Sequence, residues 1–372
     1  MSNINLLLEK LDVCPFEQLD KYTNEGKKVI GCAPVYAPEE LVYAAGMIPM
    51  GIWGAEGEVT SAKEYFPAFY AAPILRLMDL GLEGKLDKMS GMIIGGLSDG
   101  LKGLSQNWKR AVKNVPCLYI GYGQNRKIKA GIDYNEKQYI KLKKQLEEIA
   151  GCEIEDSKVE EAIVLYNRHR KAMQEFNQLA STHLNTITPT FRARVMSSAY
   201  FFDKAEHLAI VEEINNTLKS TPEEKFEGKK IVTTGILANS PDIMKILEEF
   251  KLGIVDDNVN HESGQFDYLV DEATDNPVRA LAKWISDIEG SALLYDPSKL
   301  RGQIVIDKVK EHKADGVLYL MTKFSESDEF DYPIIRDELN EAGIMNILVE
   351  VDQQMTNFEQ AKTALQTFAD MI

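Results

Sequence analysis

Met92-Ile93-Ile94-Gly95-Gly96-Leu97-Ser98-Asp99-Gly100 is the stretch that decides the fold. Its consecutive apolar residues, without polar alternation, suit a strand of a parallel sheet covered on both faces. The glycines remove side chains where the strand ends. The loop then presents Ser98 and Asp99 at the carboxyl edge of a sheet, where open α/β folds place their ligands. Gly316-Val317-Leu318-Tyr319-Leu320-Met321-Thr322-Lys323-Phe324-Ser325 has the same form, a strand that ends in a polar tip with a serine. The expectation is that the two tips face one cleft.

Outward from Met92, strand and helix signals alternate. Strands are predicted at 26–36, 48–53, 92–97 and 116–122. Helices are predicted at 2–11, 38–46, 62–80 and 103–112, the third bent or broken by Pro67 and Pro73. Such alternation means βαβ units and a parallel sheet. Residues 135–220 read instead as nearly continuous helix, in pieces at 135–150, 157–182, 189–201 and 203–218. After Glu227-Gly228 the alternation restarts, with strands at 229–236, 253–256, 316–322 and 345–351 and helices at 241–250, 276–288, 299–312, 331–342 and 356–371. Residues 292–295 are a candidate extended piece. The prediction is an α/β protein of two lobes with parallel sheets, 1–134 and 226–372, joined by a helical segment, 135–225, with a cleft between the lobes. No internal sequence repeat is evident.

The chain has 372 residues and a net charge of −16. That balance argues against a nucleic-acid groove or an anionic membrane surface as partner. Four scattered cysteines, Cys14, Cys32, Cys117 and Cys152, have no metal-site spacing and suggest free thiols in a reducing compartment, so a cytoplasmic location is expected. The amphipathic N-terminus, interrupted by Glu9 and Lys10, is not a signal peptide. No apolar run approaches the length of a membrane span.

The residues alone leave the chemistry open. Gly95–Gly103 and Gly121–Arg126 match neither G-x-G-x-x-G nor the Walker A spacing. Their glycines either let a ligand or a backbone approach the sheet edge or simply make tight turns. Glu39 and Glu40 read as partners of a helix dipole. Asp256-Asp257 with His261-Glu262 either lines the cleft or forms a solvated turn. Asp99 is the acid that the strand aims at the cleft, and Asp352 holds the same kind of place after the last strand. Ser98 and Ser325 lack a G-x-S-x-G context. The five histidines look isolated, and most lie in predicted helices and read as surface residues rather than ligands. Cys32 ends a strand and could reach the cleft, although a buried thiol is its ordinary role.

Several segments together resemble the β subunit of the 2-hydroxyacyl-CoA dehydratases, in the group that includes benzoyl-CoA reductase. They are Gly31-Cys32-Ala33-Pro34-Val35-Tyr36-Ala37-Pro38-Glu39-Glu40 running to Gly54, then Lys63–Phe69, Ser105-Gln106-Asn107-Trp108-Lys109, Thr234-Gly235-Ile236-Leu237, Tyr295-Asp296-Pro297, Phe330-Asp331-Tyr332-Pro333 and Val351-Asp352-Gln353-Gln354. The match covers essentially the whole chain in order.

The resemblance implies two Rossmann-like lobes and a place in a heterodimer that removes water from an (R)-2-hydroxyacyl-CoA through a ketyl radical. It implies a homologous α subunit carrying substrate and a [4Fe–4S] cluster as partner, a transient ATP-dependent iron–sulfur activator, and a CoA-transferase. Such β subunits hold their own cluster through three cysteines, which by the flanking motifs fall here on Ala71, Ser98 and Ser325. Alanine ligates nothing, and neutral serines are poor substitutes for soft thiolates. No cofactor is therefore expected on this chain, and its role is that of an accessory subunit. Gly264 stands where relatives carry an arginine. Cys32, Glu39, Asp99, Gln106, Asn107, Lys323 and Asp352 are the cleft-lining candidates. An apolar or aromatic acyl group is expected, since the motifs hold no extra arginine for a second carboxylate. The alternatives are a stand-alone acyl-CoA- or flavin-binding protein on the same fold, or an altered cluster held by serine.

Overall fold

The computed structural model describes residues 3–33 and 35–372; Met1, Ser2 and Pro34 lie outside it, Pro34 being one residue of the Gly31–Glu40 motif. Apolar runs at β1 (Val29–Ala33), β2 (Ile48–Gly51) and β3 (Gly91–Gly95) are buried throughout. With β4 (Cys117–Ile120) they form a parallel sheet in the order β2-β1-β3-β4. Burial on both faces is why these strands show no polar alternation.

A second parallel sheet repeats this topology. It consists of β5 (Lys229–Gly235), β6 (Leu252–Val259), β7 (Gly316–Thr322) and β8 (Asn346–Val351), in the order β6-β5-β7-β8. In each sheet the order reverses between the first and third strands, β1 and β3 or β5 and β7. A crevice opens at the carboxyl ends of strands at such a reversal.

The helices follow the sequence reading with instructive exceptions. Helix α1 (Asn3–Lys10) forms as expected, but α2 (Pro15–Asn24) was not anticipated. Its sequence PFEQLDKYTN buries only Leu19 and Tyr22, too few apolar positions for a periodicity to show. Helix α3 covers Glu39–Ala44. The helix expected at 62–80 is broken as its prolines require: a 3-10 turn at Ser61–Glu64, then α4 (Ala72–Leu82) with Pro73 in its first turn, where proline is tolerated. Helix α5 (Asp99–Ala111) begins upstream of the expected start because Ser98 caps it.

Long helices α6 (Lys129–Ala150) and α7 (Asp156–Ala180), with α8 (Pro189–Ser198) and α9 (Lys204–Lys219), make the segment between the sheets. Then come α10 (Pro241–Glu249), α11 (Pro277–Asp287), α12 (Arg301–His312), α13 (Glu326–Glu341) and α14 (Glu359–Met371). Residues 292–295 are not a strand. Helix α13 starts at Glu326, well before the expected 331, and runs through Pro333.

Packing does not respect sequence order. Leu7 and Leu8 of α1, with Leu11 just after it, share a core with Phe176, Val195 and Val211 of the helical segment. Leu281 and Ile285 of α11 share one with Ile30 of the first sheet and Leu142 of α6. The N-terminal helix thus belongs by packing to the middle of the chain, and α11 belongs to the first lobe.

An ion-pair network joins the helical segment to the second sheet. Arg192 of α8 pairs with both Asp257 and Glu262, all three buried. Burial alone would lower the Arg192 pKa, but the two carboxylates more than reverse it. Asp256 pairs with Lys308 at 2.9 Å and accepts from Asn177 Nδ2 at 2.7 Å. Asp256, Asp257 and Glu262 are therefore neither a solvated turn nor the lining of a cleft: cationic partners on other elements, Arg192 for Asp257 and Glu262 and Lys308 for Asp256, are what permit them to be buried.

Candidate functional site

Both reversal points open onto the same space between the lobes, and the walls there are two chambers. One, of about 390 Å³, is lined by Ala71, Ser98 and Ser325 together. Each of these is the N-cap residue of a helix: Ala71 of α4, Ser98 of α5 and Ser325 of α13. Three helix N-termini, with their partial positive charge, therefore border one cavity.

The caps differ in chemistry. Ser98 Oγ accepts a hydrogen bond from the Leu101 N–H at 3.3 Å, so this hydroxyl is engaged by its own helix. Ser325 makes no side-chain capping bond. The residue before it, Phe324, is held at φ 62°, a left-handed conformation that a bulky side chain rarely adopts. Ala71 offers a methyl group. An iron–sulfur cluster needs thiolates, and a methyl, a capping hydroxyl and a second neutral hydroxyl do not fit one. Among the described residues, no group of three or more His, Cys, Asp or Glu side chains could hold a metal ion.

Glycines at the end of β3 have a different purpose from either one read in the sequence. A Cβ at Gly95 would lie 2.8 Å from the Tyr122 ring, and one at Gly96 would lie 2.3 Å from the Tyr119 hydroxyl. They make room for tyrosines of the neighbouring strand and loop, not for a ligand. Gly264 lines neither chamber; an added Cβ there would come within 3.0 Å of the Val259 carbonyl.

Of the cleft-lining candidates, Asp99 borders the larger chamber, with its carboxylate largely exposed and paired to Lys102 at 3.0 Å. Lys323 and Asp352 border the second chamber, of about 310 Å³. The other four candidates line neither. Cys32 is 3% exposed within the first lobe's core, and burial raises its pKa well above the ordinary thiol value. Glu39 pairs with Lys204 at 3.1 Å, on the side of the helical segment, where Glu40 pairs with Arg170. These two acids are thus held in partly or fully buried ion pairs. Gln106 is exposed on α5, and Asn107 Nδ2 donates to the Tyr65 carbonyl at 2.9 Å, tying α5 to the preceding loop.

A family model described as HGD-D, the 2-hydroxyglutaryl-CoA dehydratase D-component, matches residues 34–372. The chain belongs to this family. It is 45% identical over 347 residues to the (R)-phenyllactyl-CoA dehydratase beta subunit of Clostridium sporogenes, covering 93% of this chain and 92% of that one. It is 39% identical over 369 residues to the (R)-2-hydroxyglutaryl-CoA dehydratase subunit beta of Acidaminococcus fermentans, covering 98% and 97%. It is 37% identical to the lactoyl-CoA dehydratase subunit beta of Anaerotignum propionicum along the full length of both.

In this D-component chain the family-like Val351–Gln354 segment holds the lobes together. Gln353 Nε2 donates to the Trp53 carbonyl at 3.1 Å, the Gly57 N–H donates to the Gln353 carbonyl at 2.9 Å, and the Val59 N–H donates to Gln354 Oε1 at 3.4 Å. Trp53 lines both chambers and meets His261 edge-on at 4.8 Å; His261 in turn stacks on Tyr200 at 4.7 Å.

Trp53 sits in the Gly31–Gly54 motif, whose pattern assigns it no role, and His261, which the sequence places either on the cleft or in a solvated turn, lines the second chamber. This histidine is 1% exposed, and burial lowers its pKa to about 3. His169, His183 and His207 are buried as well, and His169 Nε2 lies 2.8 Å from His207 Nδ1. Histidine spacing in sequence could not reveal this, because the pairing joins α7 to α9. No described helix is long and apolar enough to cross a membrane.

Proposed function

We propose that this chain is the β subunit of a 2-hydroxyacyl-CoA dehydratase, a hydro-lyase, and that it serves a cluster-bearing homologous α subunit without holding a cluster itself. The observation that carries the reading is the set of N-cap positions around the larger chamber, a methyl and two hydroxyls at Ala71, Ser98 and Ser325. The dehydratase role rests on the relatives named above, which are beta subunits of such enzymes.

On this reading the elimination of water, from (R)-2-hydroxyacyl-CoA to (E)-2-enoyl-CoA through a ketyl radical, takes place on the partner. The residues here contribute shape and dryness. Trp53, Ile74 and Leu77 give the larger chamber apolar walls, and the Gln353–Trp53 bond fixes the spacing of the lobes. An apolar or aromatic acyl group, such as phenyllactyl, is the favoured substrate class, in line with the relative of highest identity among those named. The activator and a CoA-transferase complete the proposed set of partners.

Anaerobic co-expression with a cysteine-bearing homologue tests the reading. The expected result is a stable heterodimer that dehydrates phenyllactyl-CoA faster than 2-hydroxyglutaryl-CoA, with iron and sulfide near zero on this chain purified alone. Stoichiometric iron on the isolated chain would sink the cluster-less role. A homodimer that retains a nucleotide and ignores the homologue would favour a stand-alone binding protein.

A further inference from the structure

The second chamber of the cleft has no part in the subunit reading. It is separated from the first by shared walls that include Trp53, Pro73 and Thr322. Its volume, about 310 Å³, lies at the lower end of the range for small-molecule sites. Both lobes contribute: Met50, Leu80 and Met89 from the first, Ile243, Leu320 and Phe358 from the second. These walls suit an aryl or branched-alkyl body.

Several polar groups on the chamber are left without partners. His261 is 1% exposed, and its Nδ1 is buried without a partner among the described residues. A buried polar side chain in that state is uncommon, and its cost is relieved if something in the chamber completes the bond. Trp53 Nε1 is likewise buried without an acceptor. Lys323 has no carboxylate within ion-pair distance among the described residues, and its Nζ rests 5.3 Å from the centroid of the Phe324 ring. Ser240, at the start of α10, makes no capping bond. Against these stand an unpartnered acceptor, Gln353 Oε1, and two carboxylates, Asp352, which accepts from the Gln354 N–H at 2.9 Å, and the exposed Glu56. A ligand with one negative head can meet the donors. A second negative group would meet Asp352 or Glu56.

We propose that this chamber binds a small organic monocarboxylate with an aryl or branched-alkyl body, its carboxylate held by Lys323 and the donors around His261. The site is independent of the subunit role, since it uses none of the three cluster positions. It stands or falls whether or not the chain pairs with an α subunit.

The full-length chain carries its own reporters. Trp53 lines the chamber, whereas Trp108 and Trp284 are buried in the lobe cores. Cys14 is an exposed thiol on the chamber, and Cys152 is an exposed thiol that does not line it. Titration with 3-phenylpropanoate should change Trp53 fluorescence with a Kd of about 1 mM or tighter. It should slow alkylation of Cys14 but not of Cys152. Lys323→Met, at a partly exposed position, should weaken binding about tenfold. Ala55→Phe, which fills the chamber from its wall, should abolish it. The alcohol 3-phenylpropanol should bind at least tenfold more weakly than the acid. No saturable signal up to about 10 mM overturns the site. So does binding that neither variant weakens, and equal binding of acid and alcohol overturns the carboxylate assignment. Iron content and partner binding are not read in these experiments, so failure here is distinct from failure of the subunit role.

Discussion

Ser98 and Ser325 hold the same place in two copies of one topology. Each follows the third strand of a four-stranded parallel sheet, each is the N-cap residue of the next helix, and both line one cavity. They differ in one bond: Ser98 caps its helix with its side chain and Ser325 does not.

That difference predicts unequal costs of removing the hydroxyls. Ser98→Ala should destabilise the chain by about 1 kcal/mol, the usual loss for an N-cap serine. Ser325→Ala should stay within about 0.5 kcal/mol. Urea unfolding of the two variants checks the order. Equal losses would mean that the cap at Ser98 contributes nothing.

The shared cavity also predicts that cluster binding is limited by ligands and not by space. A triple variant, Ala71→Cys with Ser98→Cys and Ser325→Cys, should take up iron and sulfide on anaerobic reconstitution, while the parent chain should not. Thiolates at three helix N-termini have lowered pKa values, which favours ligation. A triple variant as iron-free as the parent would argue that the chamber is closed to a cluster on steric grounds.

Arg192 predicts a large loss. Arg192→Met leaves Asp257 and Glu262 buried without their counter-charge, which should cost about 3–5 kcal/mol. The triple change Arg192→Met, Asp257→Asn, Glu262→Gln should recover much of it, because the surviving groups are neutral. Thermal unfolding of both variants separates an uncompensated charge from a lost packing contact.

Buried histidines predict a weakening in mild acid. Burial lowers the His207 and His261 pKa values to about 3, below the ordinary value of about 6.5 that they regain on unfolding. Between those limits the unfolded chain binds protons that the folded chain does not. Stability therefore falls as pH drops from about 6.5 towards 3, by about 1.4 kcal/mol per pH unit for each histidine. Glu262 and Asp267, pushed up by burial, Asp267 to about 7, work in the opposite direction, and His169, lowered by burial, adds to the decline. Urea midpoints should decline from pH 7 to pH 5, and the decline should be shallower by about one proton in His261→Gln. A variant with the parent's slope would show that His261 is protonated in the folded state.

The alternation of apolar strands with helices, and hence two parallel α/β lobes around a helical middle, was legible in the sequence because burial on both faces leaves unbroken runs such as Met92–Ile94. So were the strand tips at Ser98 and Ser325, since a strand followed by glycine or a polar residue ends at a sheet edge. Local pattern could not show that α1 packs on the helical segment or that α11 covers the first sheet, because an amphipathic face records that it is buried and not against what.

Nor could it show that Asp257 and Glu262 meet Arg192, that Glu39 turns to Lys204, or that His261 lies between Trp53 and Tyr200. Charges and rings look alike in sequence whether solvated or buried. Their state depends on partners far along the chain, and those partners are brought near only when the helical segment and the two lobes pack together. The sequence by itself determined the lobes and the absence of thiols at Ala71, Ser98 and Ser325. Only the tertiary structure decided that these three residues border one chamber, and that a second chamber with unpaired polar groups lies beside it.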